Sequence, residues 1–152
     1  MKVMKTLAEN KKAYFNYTIL EKFEAGLVLL GTEVKSIKLG RINLAGSYVV
    51  FKDEELYLIG ANVPPYQPKN APADYESERS RKLLLQKSEI KKLIGKTKQR
   101  GLTLIPLKVY TKNAKIKLEF GIAKGRKKFD KKDLIKKRET DREIEKELKL
   151  RG

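Results

Sequence analysis

The chain has 152 residues, a formal net charge of +17, and neither cysteine nor histidine. These absences exclude disulfides, thiolate nucleophiles, Ser–His and Cys–His catalysis, and metal sites built on Cys or His. Residues 124–152 hold 13 basic and 7 acidic side chains, and the rest of the chain is also basic, so a polyanion, usually nucleic acid, is the expected partner. No apolar run approaches the ~20 residues of a membrane span, so a cytoplasmic location is expected.

Four strands are predicted in the first sixty residues, at 13–19, 27–30, 48–51 and 56–59. Glu24-Ala25-Gly26 is predicted to turn the first pair, and residues 52–55 are predicted to close the second pair as a hairpin. Between them, "GTEVKSIKLG" (31–40) predicts a short helix with Thr32 as its N-cap and Gly40 as its stop.

The second half contains a proline-rich connection, a helix and a hairpin. Residues 62–75 hold four of the five prolines and predict an extended, non-helical segment. Ser88 is predicted to cap a helix whose Ile90 and Leu93 face inward. Residues 102–111 and 115–122 flank Asn113-Ala114 and alternate apolar with polar side chains, which predicts the clearest strand pair.

About six short strands and two helices without a βαβ rhythm indicate a mainly β fold. The favoured architecture is a small antiparallel oligonucleotide-binding-like barrel with short helices and a basic C-terminal tail. An open antiparallel sheet with helices on one face is the alternative. The barrel is predicted to span 1–128, and the tail, 129–152, has too thin an apolar stripe to dock, so we expect it to be disordered when free.

Basic side chains gather at three places. Residues 124–128 abut the last strand, with Gly125 permitting close backbone approach and Phe129 offering a face for base stacking. Arg79, Arg81 and Lys82 precede a leucine run, and 10–12 (Asn-Lys-Lys) precede the first predicted strand. Phosphate binding and an ordinary solvated charge run are both open for each cluster.

Acidic side chains give only weak evidence for catalysis. Asp74, Glu76 and Glu78 recur at period two, so in a strand they would point the same way and bind Mg²⁺ for a nuclease. Their position after a proline-rich connection favours simple turn residues. We therefore predict no enzyme activity, no catalytic residue, no metal and no cofactor.

Several motifs together resemble one family over nearly the whole chain. They are "GTEVKS" (31–36), "PPY" (64–66), "SRKLLLQKSEI" (80–90), "LIPLKVY" (104–110), "GIAKGRKKFDK" (121–131) and "IKKRETDREI" (135–144). In this order they resemble SmpB, the bacterial SsrA-binding protein family.

The resemblance implies a barrel that binds the tRNA-like domain of tmRNA and brings it to a stalled ribosome, accompanied by elongation factor Tu. The tail would become helical in the vacant decoding centre and mRNA channel, against small-subunit rRNA, so that trans-translation tags the incomplete product. A basic ribosomal protein or another RNA-binding module is the alternative function.

Site residues follow from the same resemblance. The implied RNA-binding set is Asn10, Lys11, Lys12, Glu33, Lys35, Arg81, Lys82, Lys124, Gly125 and Lys127. The implied decoding-centre set is Phe129, Asp130, Lys131, Lys132, Lys136, Lys137 and Arg138. The chain departs from the family pattern at Phe129 and Lys132, where relatives carry Tyr and Arg.

Overall fold

The computed structural model describes residues 4–98 and 101–125. The elements in these ranges are, in chain order, β1 (Met4–Glu9), α1 (Lys11–Asn16), β2 (Tyr17–Leu27), α2 (Gly31–Lys38), β3 (Tyr48–Lys52), β4 (Glu55–Ile59), a 3-10 turn (Pro68–Asn70), β5 (Arg81–Leu84), α3 (Lys87–Thr97), β6 (Leu102–Lys112) and β7 (Lys115–Gly125). The tail predicted at 129–152 lies outside the described residues.

Six of the strands close into an antiparallel barrel, in the order β6-β3-β4-β5-β2-β7 and back to β6. The same edge of β6 also pairs with β1 over its second half, while β3 meets it through Val49 opposite Leu104. Closure gives each of the six strands two neighbours, which removes the exposed edges of an open sheet. The predicted barrel class is confirmed, and the open sheet is wrong.

Apolar side chains pack on both sides of one barrel wall. Leu104 and Val109 belong to the large internal core, whereas Ile105 and Leu107 of the same strand form a small outer cluster with Ala13 of α1. A bulge between Pro106 and Lys108 shifts the register here, and such an extra residue resets the alternation of faces. The outer wall is therefore apolar where α1 covers it.

The strand predicted at 13–19 is wrong in its first half, and β1 was not predicted. Residues 11–16 form α1, whose first turn is closed by the Ala13 N–H donating to the Asn10 carbonyl at 3.1 Å. Ala13 is 3 % exposed against the outer cluster. Burial of this residue on the barrel wall overrides the short apolar alternation, which fits either structure.

The turn predicted at Glu24-Ala25-Gly26 is also wrong, because β2 runs unbroken through it. All three residues continue the ladder with β7, with Ala25 opposite Leu118 and Gly26 opposite Lys117. Gly26 is needed for packing here, since a Cβ at this position would lie 3.3 Å from the Leu84 Cβ. A glycine that permits close strand contact gives the same local signal as a turn glycine.

The strand predicted at 27–30 is wrong beyond Leu27, where β2 ends, and β5 was not predicted. The other predicted elements are confirmed, with corrected ends. Both hairpins form, and Gly40 ends α2 with a φ of +77°. The N-caps are Leu30 and Gln86 rather than Thr32 and Ser88. The proline-rich connection contains the 3-10 turn, so it is not wholly non-helical.

A buried ion cluster of Glu33, Arg79 and Arg81 joins α2 to β5. Glu33 is 1 % exposed and Arg81 0 %. Glu33 Oε2 accepts from Arg81 Nε at 2.8 Å and from Arg79 Nε at 3.1 Å, while Oε1 accepts from the Leu30 N–H at 2.9 Å. The Tyr75 hydroxyl is a fourth partner, with Oη 3.3 Å from Oε2.

Arg81 has every nitrogen engaged. Beyond Glu33, Nη1 donates to the Ala61 carbonyl at 2.9 Å and Nη2 to the Ser77 carbonyl at 3.0 Å. Burial alone raises the pKa of Glu33, but hydrogen bonds from Arg79, the Leu30 N–H and Arg81 outweigh it and hold that pKa below its usual value. The carboxylate is thus ionised and fully compensated.

Substitution of Gly121 by Ala is expected to destabilise the barrel. A Cβ there would lie 2.9 Å from both the Glu21 carbonyl oxygen and Ile19 Cγ2. Overpacking of this kind costs about 1–3 kcal/mol, to be measured by chemical denaturation. Gly31→Ala is the control, because its Cβ meets nothing within 4 Å; equal effects of the two substitutions would contradict the packing argument.

Arg81→Met should cost far more stability than Lys82→Met on the same strand. Removing Arg81 leaves the carboxylate of Glu33 without its one fully buried cationic partner, and breaking a buried ion pair costs about 3–5 kcal/mol. Lys82 instead pairs with Glu55 at 3.7 Å on the surface, where ion pairs contribute about 0–1 kcal/mol. Urea titration of both variants measures the difference, and a decrease in stability below about 1 kcal/mol for Arg81→Met would refute this role.

Candidate nucleic-acid interface

A cleft of about 620 Å³ lies between α1, the 45–48 segment and the end of β7. We call it the α1 cleft. It is lined by Asn10, Lys12, Ala13, Asn16, Tyr17, Ala45, Gly46, Ser47, Tyr48, Ile105 and Gly125. It exists because the apolar outer wall holds α1 against β6, beside the loop that leads into β3.

The α1 cleft combines one cation with two aromatic rings. Lys12 is exposed on α1, and Tyr48 opens β3 with 41 % of its surface exposed. The hydroxyl groups of Tyr17 and Tyr48 share a hydrogen bond, which together with burial raises the pKa of Tyr17. The Tyr17 phenol therefore stays neutral. The two rings are candidates for stacking on bases, while Lys12 suits a phosphate.

Two glycines keep the α1 cleft open. Gly46 has a φ of +75°, which other residues rarely adopt. Gly125 is exposed at the end of β7, where a Cβ would meet nothing within 4 Å. A nucleic-acid backbone can approach the main chain closely at both positions.

Three of the predicted RNA-binding residues, Asn10, Lys12 and Gly125, meet in the α1 cleft. Lys11 and Lys124 adjoin them in sequence and are exposed. Asn10 is only 6 % exposed, and its Nδ2 donates to the Pro106 carbonyl at 2.9 Å. Asn10 therefore anchors the start of α1 to β6. Its role is to position the cleft-lining residues of α1, and its side chain is not exposed to a ligand.

The other predicted residues lie elsewhere. Lys35 is exposed on α2, with its Nζ 5.6 Å from the centroid of the Tyr66 ring. Lys82 is half-buried beside Glu55. Glu33 and Arg81 are enclosed in the buried ion cluster. Their polar atoms are hydrogen-bonded within the protein and are not exposed to an RNA ligand. Lys127 and the decoding-centre set, from Phe129 to Arg138, lie outside the described residues.

The sequence did not single out Tyr17 and Tyr48, the two rings of the α1 cleft. Tyr17 falls in the strand predicted at 13–19, and Tyr48 begins the strand predicted at 48–51. Period-two alternation shows which residues share one face of a strand. It does not show whether that face points into the barrel core or to the outside. The one available signal is the turn sequence Ala45-Gly46, which Ser47 separates from Tyr48.

Asp74, Glu76 and Glu78 lie in turns and irregular chain, so the strand that would align them is not formed. Within residues 4–98 and 101–125, no group of three or more Asp or Glu side chains is placed to hold a metal ion. No helix in these ranges combines the length and apolar character needed to cross a membrane.

The chain is similar to proteins of one family over almost its whole length. The family model described as "SmpB protein" matches residues 7–150. The SsrA-binding protein of Carboxydothermus hydrogenoformans is 51 % identical, over 97 % of this chain and 98 % of its own. That of Magnetococcus marinus is 52 % identical, over 94 % and 95 %.

A solved structure described as "tmRNA-SmpB: a journey to the center of the bacterial ribosome" has the same fold. Its TM-score is 0.66 at 45 % identity, covering 80 % of this chain and 85 % of the other. Together, the match to the family model and the full-length relatives show that this chain belongs to the SmpB family.

Proposed function

We propose that the chain binds the tRNA-like domain of tmRNA and delivers it to stalled ribosomes for trans-translation. The observation that carries the proposal is the α1 cleft, where one cation and two tyrosine rings meet on a basic barrel. The relatives' name, SsrA-binding protein, and the solved tmRNA–SmpB structure support this RNA as the ligand. They favour it over the alternative of a basic ribosomal protein.

Binding and placement, without a catalysed reaction, account for this function. Lys12 attracts phosphate, Tyr17 and Tyr48 stack on unpaired bases, and Gly125 admits the backbone. Lys11 and Lys124 extend the positive surface, Lys127 would add to it from the segment that follows β7 in the sequence, and Lys35 and Lys82 provide more distant cations. Glu33 and Arg81 support RNA binding indirectly, by holding α2 and β5 in place.

The remaining parts of the function are assigned to the tail and to partners. Residues 129–152 would enter the vacant decoding centre, with Phe129 stacking and the basic residues 131–138 facing small-subunit rRNA. We expect this segment to be disordered in the free protein and helical on the ribosome. Elongation factor Tu would accompany the charged tmRNA complex, in the cytoplasm where ribosomes work.

Replacing Tyr48 by Ala should weaken binding of the tRNA-like RNA. Loss of one stacked base costs about 1–3 kcal/mol, read as a shift in Kd by filter binding at fixed salt. Tyr14→Ala is a matched control, because Tyr14 is 42 % exposed against 41 % for Tyr48 but does not line the α1 cleft. Unchanged melting temperatures would show that both variants fold.

Two outcomes would count against the proposal. One is equal weakening by the two tyrosine substitutions, which would place the RNA away from the α1 cleft. The other is a binding constant that does not depend on salt, since about six phosphate contacts predict a log–log slope of magnitude about 4–5.

Ending the chain after Lys128 should separate RNA binding from ribosomal action. The barrel and α1 cleft remain, so affinity for the tRNA-like RNA should stay within about twofold of wild type, because the cations proposed to bind its phosphates are retained. Tagging of stalled products in a reconstituted translation system should be abolished. If RNA affinity falls together with tagging, the two surfaces are not separable.

A further inference from the structure

The outward face of α3 has a composition that the α1 cleft does not explain. The helix packs on the core through Ile90 and Leu93, which are 6 % and 0 % exposed. Its opposite face presents Lys91, Lys92, Gly95 and Lys98, all exposed. None of the α3 residues lines the α1 cleft, so the two surfaces are distinct.

Gly95 is unusual because nothing within the described residues requires a glycine there. It is a helical residue in the last turn of α3, two positions before Thr97, where glycine is less favourable than alanine because ordering it costs more backbone entropy. An added Cβ would meet no atom within 4 Å. Neither backbone conformation nor internal packing therefore accounts for it, unlike Gly26 and Gly121.

Three lysines surround this glycine on the helix surface. Lys91 and Lys92 precede it by four and three residues, and Lys98 follows it by three, which places all of them next to it on one face. Among the described residues, these three form no ion pair, whereas Lys96, one position further round, pairs with Glu21. Gly95 thus lies between three lysine side chains whose charges are not neutralised by an ion pair in the part of the chain that the structure describes.

We propose that this α3 face is a second RNA-binding surface, which contacts the phosphate backbone of ribosomal RNA. The lysines bind phosphates, and the missing side chain at Gly95 lets the RNA backbone reach the helix between them. The inference rests on the proposed function, which requires the protein to bind two RNAs at once. Because the α1 cleft holds the tRNA-like RNA, the separate α3 face is left for the ribosome.

Gly95→Ala in the full-length protein tests this with effects of opposite sign. The substitution should raise the melting temperature by about 2–4 °C. It should leave the Kd for the isolated tRNA-like RNA unchanged and weaken binding to purified ribosomes stalled on truncated mRNA by about tenfold, because the methyl group overpacks the contact. Gly31→Ala, another exposed helical glycine with open space around its Cβ, should leave ribosome binding unchanged.

The double variant Lys91→Ala, Lys92→Ala provides an independent measurement. It should lower the magnitude of the salt slope for ribosome binding by about 2, one for each phosphate that is no longer neutralised. Unchanged ribosome binding in both variants would refute the inference.

The inference would also be refuted if the variants lost as much affinity for the isolated tRNA-like RNA as for ribosomes, because α3 would then bind that RNA. If wild type itself fails to bind the isolated RNA, the proposed function is wrong and the inference fails with it.

Discussion

The carboxylate of Glu33, buried beneath the guanidinium groups of Arg79 and Arg81, is the interaction on which the rest of the barrel's organisation depends. A buried charge is tolerated only when it is paired and fully hydrogen-bonded. Here the partners come from α2, from β5 and from the irregular chain before it, including the carbonyls of Ala61 and Ser77. The proline-rich connection has little regular structure of its own, so this cluster fixes its path across the end of the barrel.

This arrangement divides the positive charge of the protein into two kinds. Arg81 faces inward, where its planar fork reaches a carboxylate and three carbonyl oxygens, a geometry that a lysine ammonium cannot reproduce. Lys12, Lys91 and Lys92 face outward and are exposed. The net charge therefore indicates that the partner is a polyanion, while burial determines which cationic side chains are accessible to it.

Sequence reasoning succeeded where one local pattern had one structural cause. Apolar and polar residues alternate strictly on both sides of Asn113-Ala114, and this pattern is typical of a hairpin. It failed where a distant contact decides: β1 forms because β3 leaves part of one edge of β6 uncovered, and Gly26 is explained by Leu84, far along the chain. The inward direction of Arg81 is likewise invisible without Glu33, 48 positions earlier in the chain.

The position of the α1 cleft follows from the apolar outer side of β6. Ile105 and Leu107, two positions apart on this strand, both belong to the outer cluster, and α1 covers them through Ala13. The cleft forms along the margin of this cover, and β7 ends there at Gly125. Arg126, Lys127 and Lys128 follow directly in the sequence. The basic segment therefore begins at a strand end beside the α1 cleft, so the RNA proposed to bind there would also set where the tail begins.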